Sequence, residues 1–449
     1  MLRVGGVRVL FMRVLVISNL CPPDYDGGFE LSALRNANSL RALGHEVEFV
    51  TGEYRPDFQG ERVDPRWVHR IFKLPKTIDG WSNAKMFMGG ESDLRFKFGS
   101  LAKQFRLRWS NINGLFRMLR VATKNEAAID EFLKNHDFDV AYVFGLHMIG
   151  TSVIRSLERK GIPVLYHQGD EWLASYLKPG MVKRILLTIA SPIVFRKEQS
   201  INPNQITLVS QFMKRRFVEA GFHPDRLDVI YRGVEFSVQP DISRERFGPP
   251  VFLVASRLTL YKGIHFAIRA AANLYSRTPQ LEWELWIAGH GDPHVMSYFR
   301  KLAEDLNIGH RVKFIGKHPR ESVFEHMKRA TAVISPSVFD EPFGNTNIEA
   351  MAAGTVLIAS RSGAIEEIIE HGTSGLIYDR YNSNELAHHM HLILENKKLR
   401  DSLQHEGQKR VLEAFTQSQI MRQVEAKLLS MCEGVEIEQV SEAKLVSLQ

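Results

Sequence analysis

Short β-branched runs alternate with helical periodicity along most of the chain. In the first half the runs are Val14–Ile17, Val47–Val50, Val140–Phe144, Val164–Tyr166 and Ile206–Val209. In the second they are Val251–Ala255, Glu284–Ala288, Val312–Ile315, Ala332–Ser335 and Val356–Ala359. Apolar strands separated by amphipathic helices indicate parallel sheets covered on both faces. The pattern predicts an α/β protein with two doubly wound domains. Periodicity lapses over the polar, Pro-containing stretch 237–250 (Pro240, Pro249, Pro250), which reads as a linker. The predicted domains are therefore 12–236 and 251–432, with 55–125 as an insertion lacking regular βα units and 433–449 as a polar tail.

Length agrees with this division. A chain of 449 residues exceeds what one hydrophobic core usually covers. Its 44% hydrophobic and 24% charged residues are those of an ordinary globular protein. Met12-Arg13-Val14-Leu15-Val16-Ile17 is a typical opening of a first buried strand, so residues 1–11 read as an upstream extension. No stretch reaches the ~18–20 apolar residues of a spanning helix, and no signal-peptide pattern is present, which points to the cytoplasm. Two cysteines, Cys21 and Cys432, make neither a disulfide framework nor a zinc cluster and fit a reducing compartment.

The formal charge of +7 is concentrated in one place. Residues 84–124 carry nine Lys/Arg against two acids, interleaved with Phe87, Phe96, Phe98, Phe105, Trp109 and Phe116. Such a segment suits an anionic surface at the inner face of a membrane, or an anionic acceptor. A solvated helical face with its aromatics packed inward is the alternative. No nucleic-acid-binding motif accompanies the charge, so nucleic acid is not expected as a partner.

In open parallel sheets, ligands bind beyond the carboxyl ends of the strands. The strand Val251–Ala255 runs into Ser256-Arg257-Leu258-Thr259-Leu260-Tyr261-Lys262-Gly263, where Arg257 and Lys262 can converge on the strand mouth. Two cations at that place suit a diphosphate, though the stretch alone could be a pair of surface basics. The strand Ala332–Ser335 leads to Glu341-Pro342-Phe343-Gly344-Asn345-Thr346-Asn347-Ile348-Glu349. Gly344, Asn345 and Thr346 can offer backbone N–H groups to an anion at a helix start. Glu349, about one turn into that helix, can accept from a ribose diol, and Glu341 in the preceding loop lies nearer a sugar. Ordinary helix-start acids are the alternative for the two glutamates.

With these residues the chain resembles a retaining glycosyltransferase of family 4, with the GT-B fold of two facing Rossmann-like domains and a cleft between them. Further pieces fall in the family's order: Ala288-Gly289-His290-Gly291-Asp292, Val312-Lys313-Phe314-Ile315-Gly316, Ser360-Arg361-Ser362-Gly363-Ala364-Ile365-Glu366-Glu367 and His371-Gly372-Thr373-Ser374-Gly375. The likeness runs from about Arg13 to Val50 and from about Ala141 to Tyr378, and leaves 55–125 uncovered. It implies that Arg257 and Lys262 hold the donor diphosphate and Glu349 the ribose. Glu341 would hold the transferred sugar's hydroxyls. Phe314 and Ile315 would approach the base, with Gly289 and Phe343 in the same donor site. Gly363-Ala364 stands where relatives often carry two glycines.

In the first domain, Gly27-Gly28 after the first strand permits close backbone approach to the donor diphosphate, as family members show; alone, such a pair is more often a turn. Tyr166-His167-Gln168-Gly169-Asp170-Glu171-Trp172 departs from the family's His-Asp pair, because the usual histidine aligns with Gly169. Asp170 is the first candidate for contact with the reacting sugar or acceptor and His167 the second, with a core or bracing role for His167 as its alternative. His147 is a further candidate at a strand end. Asp137-Phe138-Asp139 imitates the Asp-x-Asp metal motif of the other large glycosyltransferase fold, but it precedes a strand and reads as a turn.

The resemblance implies transfer from a nucleotide-diphosphate sugar to a hydroxyl acceptor with retention at the anomeric carbon, with no cofactor and no metal. A lipid-linked or cell-surface polysaccharide precursor would suit the 84–124 segment as acceptor. A sugar-nucleotide epimerase on the same fold and a non-catalytic nucleotide-sugar-binding protein are the competing readings. A phosphorylase would need a pyridoxal lysine and a longer chain. A dehydrogenase would need Gly-x-Gly-x-x-Gly after an early strand, where this chain has Pro22-Pro23 and Gly27-Gly28.

Overall fold

The computed structural model describes residues 2–4, 7–9, 11–25, 27–74, 121–177, 203–234 and 248–432. They divide into two compact units, each built on its own parallel sheet.

The first unit opens with a short antiparallel pair, β1 (Leu2–Val4) and β2 (Val7–Val9). Its main sheet contains β3 (Arg13–Ile17), β4 (Glu46–Gly52), β5 (Val68–Phe72), β6 (Val140–Val143), β7 (Val164–Gln168), β8 (Gln205–Leu208) and β9 (Leu227–Val229). Their order is β5-β4-β3-β6-β7-β8-β9, with all pairings parallel. The chain thus starts at an inner strand, builds to one edge, returns, and builds to the other. Helices Gly28–Ala42 and Ser152–Arg159 form crossovers of this kind.

The second unit repeats the scheme with β10 (Val251–Ala255), β11 (Glu284–Ala288), β12 (Val312–Gly316), β13 (Ala332–Ser335), β14 (Val356–Ser360) and β15 (Leu376–Tyr378). The order is β12-β11-β10-β13-β14-β15, again all parallel. Inner strands of such sheets contact helices on both faces, which is why β6 and β14 are buried at every position. Burying each large aliphatic side chain contributes about 1.5–3 kcal/mol. In the second unit Phe252, Val254, Leu285 and Ile287 pack with Ile268 and Leu274 of helix Ile264–Arg277 and Leu386 and Met390 of helix Ser383–Glu395.

All ten runs read from the sequence are strands. The structure adds the antiparallel pair β1 and β2 and, in the two parallel sheets, β5, β9 and β15, each at a sheet edge. β5 lies within the stretch expected to be an irregular insertion. Only its terminal residues Val68 and Phe72 are buried, so the sequence Val-His-Arg-Ile-Phe lacks the continuous apolar run of an inner strand. Residues 121–132 are helical, and 75–120, with most of the basic aromatic segment, lie outside the described residues. So do 237–247 of the expected linker and the 433–449 tail.

The division of the chain also differs from the expected boundary at 432. The second unit comprises Val209–Met213 and Tyr231–Ile420, and from Met421 the chain belongs to the first unit. The last half of helix Gln417–Met431 buries Met421, Val424 and Leu428. Glu425 accepts from His45 at 2.8 Å, and Lys427 pairs with Asp228 at 2.6 Å. An amphipathic C-terminal helix does not reveal from its own pattern which sheet it will cover. No helix among the described residues is long and apolar enough to cross a membrane.

Candidate active site

Strand order reverses in the second sheet between β10 and β13, whose crossovers lead to opposite edges. This opens a crevice at the carboxyl ends of the two strands. Ser256, Lys262, Ser335, Ser337, Glu341 and Thr346 line it. The loops that bring them together interlock through glycine. Gly263 has φ 71°, and a Cβ there would stand 1.7 Å from the Pro336 carbonyl oxygen, so no other residue fits without moving the backbone. The Val338 N–H donates to the Tyr261 carbonyl at 2.9 Å, tying the loop after β13 to the loop after β10.

At this junction the Lys262 Nζ donates to Glu341 Oε1 at 2.5 Å, and Ser337 Oγ donates to the same oxygen at 2.9 Å. The two charged side chains are only 21% and 16% exposed, so their pairing offsets the cost of removing each from water. The loop after β14 closes on the other side. The Ala364 N–H donates to the Glu341 carbonyl at 3.0 Å, and a Cβ on Gly363 would stand 2.1 Å from that oxygen. Three loops therefore fix Glu341, leaving Oε2 with no hydrogen-bond partner among the described residues. The Arg257 guanidinium is exposed and carries no hydrogen bond or ion pair among the described residues.

Gly344, at φ 93°, begins helix Asn345–Ala352, and the helix buries Ala350, Met351 and Ala352 against its unit. Glu349 lies on this helix. Its Oε1 accepts a hydrogen bond from Arg320 Nε at 3.0 Å and lies 2.9 Å from Arg320 Nη2 in an ion pair. The Asn345 side-chain oxygen accepts from Arg232 at 3.3 Å. On strand β12, at the edge of the same sheet, Phe314 and Ile315 are partly buried. Arg300 stands 4.4 Å over the Phe314 ring, and the Ile315 carbonyl oxygen lies 2.8 Å from His318 Nε2. The Gly289 N–H donates to the Gly316 carbonyl at 2.7 Å.

The corresponding reversal in the first sheet falls between β3 and β6. There Asn19 is buried; its amide nitrogen lies 3.0 Å from His147 Nδ1, and its oxygen accepts from the Met148 N–H at 2.9 Å. The Gly27 N–H donates to Glu30 Oε2 at 3.1 Å, as a cap of helix Gly28–Ala42, and the Gly28 carbonyl accepts from Ser32 Oγ at 2.7 Å. His167 is buried on β7. Its Nδ1 lies 3.1 Å from Thr207 Oγ1, and its ring is stacked on Phe29 with Tyr142 and Phe144 around it. Asp170 is exposed and accepts from the Trp172 N–H at 3.1 Å, capping helix Trp172–Leu177.

Two family models match the chain: Glycosyltransferase Family 4 over residues 94–238 and Glycosyl transferases group 1 over residues 237–410. An uncharacterized glycosyltransferase of Methanocaldococcus jannaschii is 31% identical over 92% of this chain and 96% of its own length. The chain is a family 4, group 1 glycosyltransferase. A putative glycosyltransferase of Bacillus subtilis, YtcC, is 28% identical over 64% of this chain and 72% of its own. Among solved structures, Anabaena HepE in complex with UDP and glucose superposes with TM-score 0.63 at 19% identity, covering 93% of this chain and all of its own. Sucrose-phosphate synthase from Thermosynechococcus elongatus does so with TM-score 0.65 at 18% identity, covering 92% and 98%. The fold is GT-B.

In this glycosyltransferase the residues singled out in the second half converge on one sheet edge, with one correction. The Phe343 ring is 1% exposed and packs against Tyr231 and Phe415, at centroid distances of 5.6 Å each. It braces the loop between Glu341 and Gly344 and cannot present its side chain to a ligand. His167 is likewise a core residue, which leaves the bracing alternative for that ring. Asp139 of the Asp-x-Asp imitation accepts from Arg13, N–H at 2.7 Å and Nη2 at 2.9 Å, fastening the start of β3. Sequence reasoning missed Arg320. Its one signal is position, since a basic residue in a helix's first turn opposes the helix dipole and asks for a local anion.

Proposed function

We propose that this glycosyltransferase moves a sugar from a nucleoside-diphosphate sugar to a hydroxyl acceptor with retention and without a metal ion. The observation that carries the reading is the Lys262–Glu341 pair at the β10/β13 reversal, beside the first turn of helix Asn345–Ala352. A diphosphate entering this crevice meets the Lys262 ammonium, the Arg257 guanidinium and the backbone N–H groups of Asn345 and Thr346. Glu349, held by Arg320, accepts from the ribose diol, and Glu341 Oε2 accepts from hydroxyls of the transferred sugar.

The sugar's anomeric carbon loses its bond to the diphosphate oxygen, which leaves with the electron pair. The acceptor oxygen bonds to that carbon on the face just vacated, and its proton passes to the departing phosphate oxygen. Negative charge grows on the leaving diphosphate, where two fixed cations and a helix terminus stabilise it most. The segment 84–124 would bring an anionic or lipid-linked acceptor to the enzyme, such as a cell-surface polysaccharide precursor.

A thermal-shift panel of nucleoside-diphosphate sugars is the first test, because a ligand that binds only the folded state raises the melting point. Product analysis by NMR then reads the anomeric configuration. Absence of stabilisation by every nucleotide sugar would sink the donor reading. An inverted product would sink retention, and activity abolished by EDTA and restored by a divalent ion would sink metal independence. Equal liposome binding by wild type and a variant neutralised at Arg106, Arg108, Arg117 and Arg120 would remove the membrane role.

A further inference from the structure

A second concave surface lies in the same unit, away from the residues assigned above. It is a groove of about 500 Å³ along the outer face of helix Ile264–Arg277. Phe266, Arg269 and Asn273 line it at i, i+3 and i+7, and Tyr381 and Asn384 close one side.

Tyr381 holds φ at 71°, a conformation that bulky residues adopt only against steric strain. Burial does not offset that strain, because Tyr381 is 58% exposed. Its ring is held edge-on to Phe266, with centroids 5.5 Å apart and planes at 64°. The structure thus props an aromatic face open at the groove's rim. Beside it, the Asn273 amide donates to Asn384 Oδ1 at 3.0 Å, and Arg277 donates to the same oxygen at 3.3 Å. The Asn273 side-chain Oδ1 and the Asn384 side-chain Nδ2 are left with no partner among the described residues. The Arg269 guanidinium is exposed and likewise makes no hydrogen bond or ion pair among them.

We propose that this groove is a carbohydrate-binding site separate from the donor crevice, taking a short stretch of the glycan acceptor or product. The Tyr381 face covers the apolar C–H side of a sugar ring. Asn273 supplies an acceptor, and Asn384 and Arg269 supply donors, for its vicinal hydroxyls. A lone aromatic patch would suit any apolar partner. Planar amide and guanidinium groups beside an exposed ring favour a polyhydroxylated one, and the volume admits a few sugar units. The sugar class rests on the transferase reading; the site does not depend on which nucleotide is used.

Saturation-transfer NMR on the full chain tests it, using glucose-, mannose- and galactose-based trisaccharides in excess UDP and GDP to fill the donor crevice. At least one trisaccharide is expected to show transfer that survives the nucleotides. Its affinity should fall about tenfold in Tyr381→Ala and in Asn273→Ala, persist in Tyr381→Phe and be unchanged in Lys262→Ala. Unaltered melting points accompany these results if the ring serves binding alone. The site is overturned if no trisaccharide shows transfer, if nucleotide abolishes it, or if Tyr381→Ala and Asn273→Ala bind as wild type does. Failure of nucleotide sugars to stabilise the protein would instead sink the donor reading and leave the trisaccharide signals as they are.

Discussion

The two sheets of this glycosyltransferase share one winding plan, yet the places where their strand orders reverse are furnished differently. Between β10 and β13 the crevice is lined by partly exposed charges, Lys262 and Glu341, that neutralise one another. Between β3 and β6 the lining turns inward. Asn19 is buried, His167 is stacked on Phe29, and the Gly27 N–H is already taken by Glu30. Topology therefore fixes where a ligand can sit, while the loops decide whether the place is built for charge or for packing. Substitutions at the charged reversal between β10 and β13 should change chemistry with little change in stability. Substitutions at the aromatic one should do the opposite.

Glu341→Gln should break the comparison most visibly if it is wrong. Transfer is expected to fall about 10²–10³-fold, with the melting point within a few degrees of wild type. Radiolabelled sugar transfer and a thermal scan of the same samples decide it. Near-normal turnover would mean that Glu341 is only the lysine's structural partner.

His167→Ala examines the other side. Removing a buried ring should cost about 3–5 kcal/mol in denaturant unfolding. Nucleotide-sugar affinity at a temperature where the variant is folded should stay close to wild type. An intact stability with lost activity would place His167 in the chemistry.

Arg320→Ala sharpens the account of Glu349. Loss of the hydrogen bond and ion pair that orient its carboxylate should weaken nucleotide-sugar binding about tenfold, roughly 1.4 kcal/mol, while kcat changes little. Arg320→Lys should recover only part of this, because a lysine cannot make the paired guanidinium contacts. Calorimetric titration separates affinity from turnover.

The smallest effect concerns acid. His265, His326 and His389 of the second unit have pKa values below the ordinary 6.5, in each case chiefly because burial disfavours the charged ring. Well above 6.5 the rings are neutral whether the chain is folded or not, so they leave stability unchanged. As pH falls below 6.5 the unfolded chain takes up protons first, and stability declines until the folded rings also protonate. His389→Gln should flatten that decline in a melting-point series from pH 7 to 5. An unchanged slope would show that the loss originates elsewhere.

The inner strands and the charged crevice were legible in the sequence for related reasons. Inner parallel strands need unbroken apolar runs, and Val356–Ser360 or Val140–Val143 can hardly be read otherwise. Arg257, Lys262, Glu341 and Glu349 stand at strand ends with glycines at the turns, so motif and topology reinforce each other. Edge strands such as β9 and β15, three residues each, are short and owe their pairing to a neighbour already in place, a tertiary effect that local pattern does not encode. Arg320 was missed because an ion pair between residues 29 apart leaves no periodic trace. Phe343 was misjudged because its place within the Glu341–Glu349 motif says nothing of which way the ring turns; Tyr231 and Phe415, distant in sequence, decide that.

The return of the chain at Met421 has a consequence for biosynthesis. The N-terminal sheet is made before the second sheet, but Met421, Val424 and Leu428, buried residues of its own unit, follow only after the second sheet is complete. During translation the surface destined for that helix stays uncovered while the whole second sheet is being synthesised. A nascent chain stalled before residue 421 should therefore hold its N-terminal sheet less protected from protease than the released protein does.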